Sequence, residues 1–152
     1  MRETLVPEQF GPLQGVRILS TGSVIAQPFA AALAAQWGAE VIQVENPYVE
    51  DTWRNVGLRV PSADGAREVG TSWLAERRNE FNITLDMANP EDKERFLKLA
   101  ARADIWMESS RPGAYDRWGL SDAVVRAANP RLVICHVSGY GQTGEPSYLG
   151  RA

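Results

Sequence analysis

The chain has 152 residues, 44% of them hydrophobic, with 16 lysines and arginines against 19 acids for a net charge of −3. That is apolar material for one core of ordinary size, and the mixed charge leaves no basic footprint for nucleic acid. No apolar run approaches the about 20 residues that cross a bilayer, no basic-then-apolar signal opens the chain, and the one cysteine, Cys135, lies in an apolar run with no internal disulfide partner; a cytoplasmic protein is the expectation.

Met1 to Leu13 is polar and carries Pro7, Gly11 and Pro12, which predicts an N-terminal arm ahead of a Rossmann-like part over 14–152. Val16 to Leu19 is a short β-branched and apolar run that suits a buried strand. A loop from Ser20 to Gln27 leads into Pro28, which has no N–H to lose in the first turn of a helix. Phe29 to Trp37 is apolar almost all round, so this helix should be covered on most faces. Gly38 stops it, and Val41, Ile42 and Val44 mark a second strand ending at Glu45. The unit is βαβ with parallel strands, and ligands of such units bind outside the carboxyl ends of the strands, here the loop Thr21 to Gln27.

Asn46-Pro47 signals a turn, and a long irregular passage follows to about Gly70, with Tyr48 and Trp53 set among charges. Passages of that length inside a domain are usually functional, so an ordered binding loop is expected. Thr71 to Glu76 suits a short helix, and Phe81 to Leu85 a third strand. Asn89-Pro90-Glu91-Asp92 is a strong helix start, with Phe96, Leu97, Leu99, Ala100 and Ala103 as the buried stripe behind it. Asp104 to Met107 predicts a fourth strand, followed by the polar turn Glu108 to Gly113 and a short segment Ala114 to Trp118. Ser121-Asp122 caps a helix with Val124, Val125 and Ala128 inward, Asn129-Pro130 stops it, and Arg131 to Val137 is the fifth strand. A glycine-rich loop, Ser138 to Pro146, comes last, with no closing element after it. The fold class is α/β: a Rossmann-like parallel sheet with flanking helices.

A nicotinamide reading fails on the first βα loop, which holds one glycine, Gly22, and no G-x-G-x-x-G. His136, the single histidine, adjoins Cys135, but neighbouring strand residues point to opposite faces and make no catalytic pair; a structural histidine or one lining the strand end is favoured. No metal-ligand spacing occurs. Three loops, 21–27, 108–113 and 138–144, should converge at one rim. Arg111 and Arg117 stand there, with Arg77 and Arg78 as further contributors, and arginine forks suit phosphate oxygens. Tyr115, Trp118 and Tyr140 offer stacking faces or simply pack the loops. The rim reads as a site for a phosphate-bearing nucleotide held without the dinucleotide fingerprint.

FGPLQGVRIL (Phe10 to Leu19), QWGAEVIQVE (Gln36 to Glu45), RRNEFNITLDM (Arg77 to Met87), ADIWMESSRPGAYDRWGL (Ala103 to Leu120) and NPRLVICHVSGYGQTG (Asn129 to Gly144) stand in family order and spacing. Through them the chain resembles the family III CoA-transferases, the CaiB–BaiF group, nearest to the crotonobetainyl-CoA:carnitine CoA-transferase branch. The resemblance implies transfer of CoA from an acyl-CoA to a carboxylic acid through aspartyl-acyl anhydride and aspartyl-CoA thioester intermediates. It also implies interlocked homodimers or heterodimers, with coenzyme A or acyl-CoA as substrate and no tightly bound cofactor.

By position, the resemblance puts Val24, Ile25 and Ala26 along the CoA channel and Asn46 where some members carry an arginine for the adenine-ribose end. Leu85 and Ala88 would border the adenine, Ser109, Ser110 and Arg111 would meet the nucleotide, and Arg117 its phosphates, with Trp118 beside it. The loop Gly139 to Gly144 corresponds to a mobile glycine loop near the nucleophile. The family's nucleophilic aspartate is expected beyond Ala152, as are the small domain and the C-terminal return; Asp86, Asp104 and Asp116 occupy other family positions. The expected chain alone is an inactive CoA-binding half. The alternative is a non-catalytic interaction or regulatory module that pairs with a full-length homologue.

Overall fold

The computed structural model describes residues 11–144; the arm before Gly11 and the stretch from Glu145 to Ala152 lie outside the described residues. Five parallel strands form the main sheet: β1 (Arg17–Ser20), β2 (Glu40–Glu45), β5 (Glu80–Thr84), β6 (Ile105–Glu108) and β7 (Val133–His136). Their order is β5-β2-β1-β6-β7, so the direction of winding reverses between β1 and β6. The Rossmann-like α/β class read from the sequence is the one observed.

Alternation along β1 divides the core in two. Ile18 and Val41 face α1 (Ala26–Gln36), whose Ala31 and Ala35 are small enough to bring helix and sheet close. Leu19, Ile42 and Val44 face the opposite layer, where α3 (Pro90–Ala100) and α5 (Asp122–Ala128) pack with Phe96, Trp106 and Val125 fully buried. Asn89 caps α3 by accepting the Glu91 N–H at 2.9 Å, with Pro90 first in the helix and two acids in its first turn. At the other end, Asn129 Nδ2 donates to the carbonyls of Ala100 (3.0 Å) and Ala103 (2.8 Å), closing the α3 C-terminus from the end of α5.

Three expectations need correction. The 46–70 passage is not irregular: a 3-10 turn (Thr52–Asn55) precedes an antiparallel hairpin of β3 (Arg59–Pro61) and β4 (Glu68–Gly70), which feeds α2 (Thr71–Glu76). Helix α1 is covered on one side only, and Ile25, Phe29 and Trp37, a helical stripe, are exposed by 42%, 42% and 55%. Its small alanines already satisfy the sheet, so the bulky residues are left on the outer side. In α5 only Val125 is buried, because seven residues give two turns and one contact row; Val124 and Ala128 are exposed. The described end of the N-terminal segment, Gly11 to Leu13, lies against the end of α1. The Leu13 N–H donates to the Trp37 carbonyl at 3.0 Å, and Gly11 lies so close to that carbonyl that a Cβ would sit 2.1 Å from it.

Candidate functional site

The loop after β1 is built on a buried polar network. Ser20 hydrogen-bonds Gln43, Gln27 Nε2 donates to Ser20 Oγ at 3.0 Å, and Gln43 Nε2 donates to the Gly22 carbonyl at 2.8 Å. All three side chains are essentially inaccessible, so each polar atom that finds a partner here avoids a desolvation cost. Gly22 is required for space: a Cβ there would lie 1.8 Å from Gln27 Oε1 and 2.7 Å from Ser109 Oγ. The loop then crosses to the β6 end, where the Ser23 N–H donates to Ser109 Oγ at 3.2 Å. This contact spans the β1–β6 switch point, where open α/β sheets hold ligands.

Next in the loop comes Val24, a β-branched residue at φ 65°. The Asp51 carboxylate accepts its N–H at 3.0 Å, and Arg77 Nη2 donates to its carbonyl at 3.3 Å and to Asp51 Oδ2 at 2.9 Å. The Arg77 and Asp51 side chains are 1% and 4% exposed, and Arg77 also lies against the Trp73 ring. Burial lowers the Arg77 pKa, with Glu80 and Asp51 opposing the shift. Arg77 is therefore a buried support under the loop and not a cation at the rim.

A hollow of about 470 Å³ opens beside this loop, lined by Thr21, Ser23, Val24, Val44, Asn46 and Asp51 among others. It shares Thr21, Val44, Glu45 and Asn46 with a smaller recess of about 90 Å³ that Leu85, Met87, Ser110, Tyr115 and Trp118 complete. Aromatic packing shapes that recess. Tyr115 meets Trp106 edge-on at 4.7 Å and Trp118 at 5.1 Å, and Trp106 Nε1 donates to Thr21 Oγ1 at 2.9 Å. Burial holds the Tyr115 phenol far above its usual pKa, so it stays neutral. Two of the hollow's carboxylates are paired with arginines: Arg54 binds Glu45 at 2.7 Å and Arg77 binds Asp51 at 2.9 Å.

A third hollow, about 320 Å³, lies on the β6–β7 side, with Glu108, Arg111, Tyr115, Asp122, His136 and Gln142 among its walls. His136 bridges two acids here, its Nδ1 2.6 Å from Glu108 Oε1 and its Nε2 3.1 Å from Asp122. Burial works against charge on the ring, but the bonds and charges of Glu108 and Asp122 outweigh it and raise the His136 pKa. It lines the strand end, as one of the two sequence readings had it.

Of the residues singled out by sequence, Val24, Asn46, Leu85, Ser110 and Trp118 line the two adjoining hollows, and Arg111 lines the neighbouring one. Ile25, Ala26 and Ala88 are exposed and outside those walls; Ser109 braces the loop through its hydroxyl, and Arg117 is exposed on α4 (Ala114–Arg117). Thr21, in the loop that topology marked for a ligand, lines both hollows, whereas Asp51 and Met87 were missed as lining residues. Asp51 carried a usable signal, because an Asp two residues before Trp53 can accept its N–H, as it does at 2.9 Å, and start a turn.

A model of CoA-transferase family III matches residues 13–150. The chain is similar to the succinyl-CoA–L-malate CoA-transferase alpha subunit of Chloroflexus aurantiacus, 41% identical over 133 residues, covering 88% of this chain and 30% of that protein. It is likewise similar to an L-carnitine CoA-transferase of Proteus mirabilis, 42% identical over 148 residues, 97% of this chain and 33% of that one. Among solved structures, a CAIB/BAIF family protein from Brucella suis superposes with a TM-score of 0.85 at 30% identity, over 95% of this chain and 37% of that chain. The chain thus spans about a third of the length of the curated relatives it matches.

Proposed function

The chain belongs to CoA-transferase family III, and from that premise we propose that it supplies the coenzyme A cradle of a transferase that moves CoA from an acyl-CoA to a carboxylic acid. The observation that carries the reading is the pair of adjoining hollows at the β1–β6 switch point, walled by Val24, Asn46, Leu85, Ser110 and Trp118. Its ends suit the two parts of the ligand. The recess against Leu85, Met87 and Trp118 offers apolar and aromatic surface to a purine. Arg111 and Arg117 follow β6 and provide forked donors for phosphates.

In the proposed reaction, an aspartate expected beyond Ala152 attacks the thioester carbonyl of the donor; the C–S bond breaks and CoA leaves as the thiolate. The thiolate attacks the aspartyl carbonyl of the resulting anhydride, releasing the donor acid and leaving an aspartyl-CoA thioester. The acceptor carboxylate displaces the thiolate again, and the thiolate finally takes the acceptor's acyl group, freeing the aspartate. Residues 14–152 contribute binding and orientation. Asp104 is a poor candidate for the attacking group, since its Oδ2 accepts the Arg17 N–H at 2.9 Å. The working unit in this reading is a dimer, with itself or with a complementary chain.

Calorimetric titration of the 152-residue chain with CoA tests the cradle. Binding should weaken about tenfold in Trp118→Ala, the size expected of one lost stacking contact. A chain that ignores millimolar CoA refutes the cradle. The exposed apolar stripe of Ile25, Phe29 and Trp37 favours a second reading, a non-catalytic module that pairs with a full-length homologue. That module would ignore CoA in this titration and bind the homologous chain in a second one.

A further inference from the structure

Val24 stands in a conformation that β-branched residues avoid, at the wall of the larger hollow. A left-handed backbone is strained for such a residue and persists only where the surroundings over-determine it. The surroundings here are one ion pair. Asp51 takes the Val24 N–H at 3.0 Å while Arg77 gives to the Val24 carbonyl at 3.3 Å, so both polar groups of the strained residue end on two side chains that also hold each other. The ion pair is itself fixed from outside the loop. Asp51 caps the 3-10 turn through the Trp53 N–H, and Arg77 follows α2 and stacks on Trp73.

The stretch 51–77 therefore reaches the β1 loop through this pair. Neither member carries a role in the proposed chemistry, and Arg77 lines none of the three hollows described above. Resting on the CoA-cradle reading, we infer that Asp51 and Arg77 are positioning residues of the site: they hold Val24 left-handed and thereby set the wall that ligand meets. Without the bracket, Val24 relaxes to negative φ and the Ser23–Val24 segment leaves its place between the β2 and β6 ends. A residue that adopts positive φ without strain needs no bracket, so glycine at position 24 should make the loop independent of Asp51.

The experiment is a double-mutant cycle on the 152-residue chain, with Asp51→Asn and Val24→Gly made singly and together. It is read by CoA titration and by hydrogen exchange at the residue-24 amide without ligand. Asp51→Asn should weaken CoA about tenfold and speed exchange at Val24. In the Val24→Gly background the same change should cost about twofold or less, a rescue that general loss of structure would not give. Equal losses in both backgrounds, or unchanged exchange in Asp51→Asn, overturn the inference.

Should Asp51→Asn fail to fold, Val24→Gly alone still decides. Release of strain keeps its urea midpoint at or above that of the unmutated chain, whereas a clear fall overturns the proposal. If the unmutated chain does not bind CoA, the cradle reading fails by itself. The exchange and midpoint comparisons then still support or overturn the bracket.

Discussion

Glu80 offers a direct test of the electrostatics beneath the site. It opens β5 with both carboxylate oxygens buried and without a hydrogen-bond partner among the described residues. Burial raises its pKa from 4.5 to about 7; the Arg77 charge opposes the rise and Glu45 adds to it. The folded chain keeps the Glu80 proton at pH values where the unfolded chain has lost it. The stability tied to that proton is fully present below pH 4.5 and is lost as pH rises through about 7. At about 1.4 kcal/mol per pH unit of difference, the loss approaches ~3 kcal/mol on the alkaline side.

Glu80→Gln keeps the shape and removes the titration. In urea unfolding from pH 4 to 9, the variant and the unmutated chain should agree closely at pH 4. They should separate through neutrality, the variant becoming the more stable by about 3 kcal/mol at pH 9. A difference that does not change with pH would show that the Glu80 carboxylate is solvated in the folded chain, and the reasoning would fall.

His136 should titrate above 6.5, because two carboxylates receive its ring nitrogens and only the imidazolium donates from both. As the single histidine it is unambiguous by NMR. Asp122→Asn should lower its pKa, and the stability it contributes should be present below 6.5 and fade as pH rises through the folded value. Asn129→Ala should cost about 1–3 kcal/mol in the same unfolding assay, since it strips the carbonyls of Ala100 and Ala103 of their shared donor. An unchanged midpoint would mean that water replaces the amide.

The βαβ unit, the Asn89 cap and the buried stripe of Phe96 and Ala100 were legible because each rests on short-range rules: alternation, capping and helical spacing. The hairpin over Arg59–Gly70 was not, since strands of three residues give no periodicity to read and Pro61 argues against one. At the site, the loops after β1 and β6 followed from topology. Which side chains face the hollow did not. Leu85 and Met87 line the recess while Ala88, one position further, turns out to solvent, and a one-residue error at a strand end changes the face. Arg77 misled because one arginine of the pair Arg77-Arg78 before a strand carries no mark of burial. Its partner is 26 residues away, and only the stacking residue Trp73, one turn earlier on α2, is near in sequence.

Trp73, finally, makes the insertion between β2 and β5 a structure of two unequal halves. Arg54 lies 3.7 Å and Arg77 4.7 Å from the centroid of its ring, which is 6% exposed. Guanidinium groups on a shielded indole face are barely screened by dissolved ions. The outer half is held differently: Arg67 pairs with Glu50 at 3.5 Å and Arg59 with Glu68 at 3.8 Å, all well exposed. Such pairs fade as salt is added. Ionic strength therefore acts as a selective solvent for this insertion, loosening the hairpin while its root stays moored to the sheet. The buried root around Trp73 and the hairpin, parts of one insertion, answer to different forces.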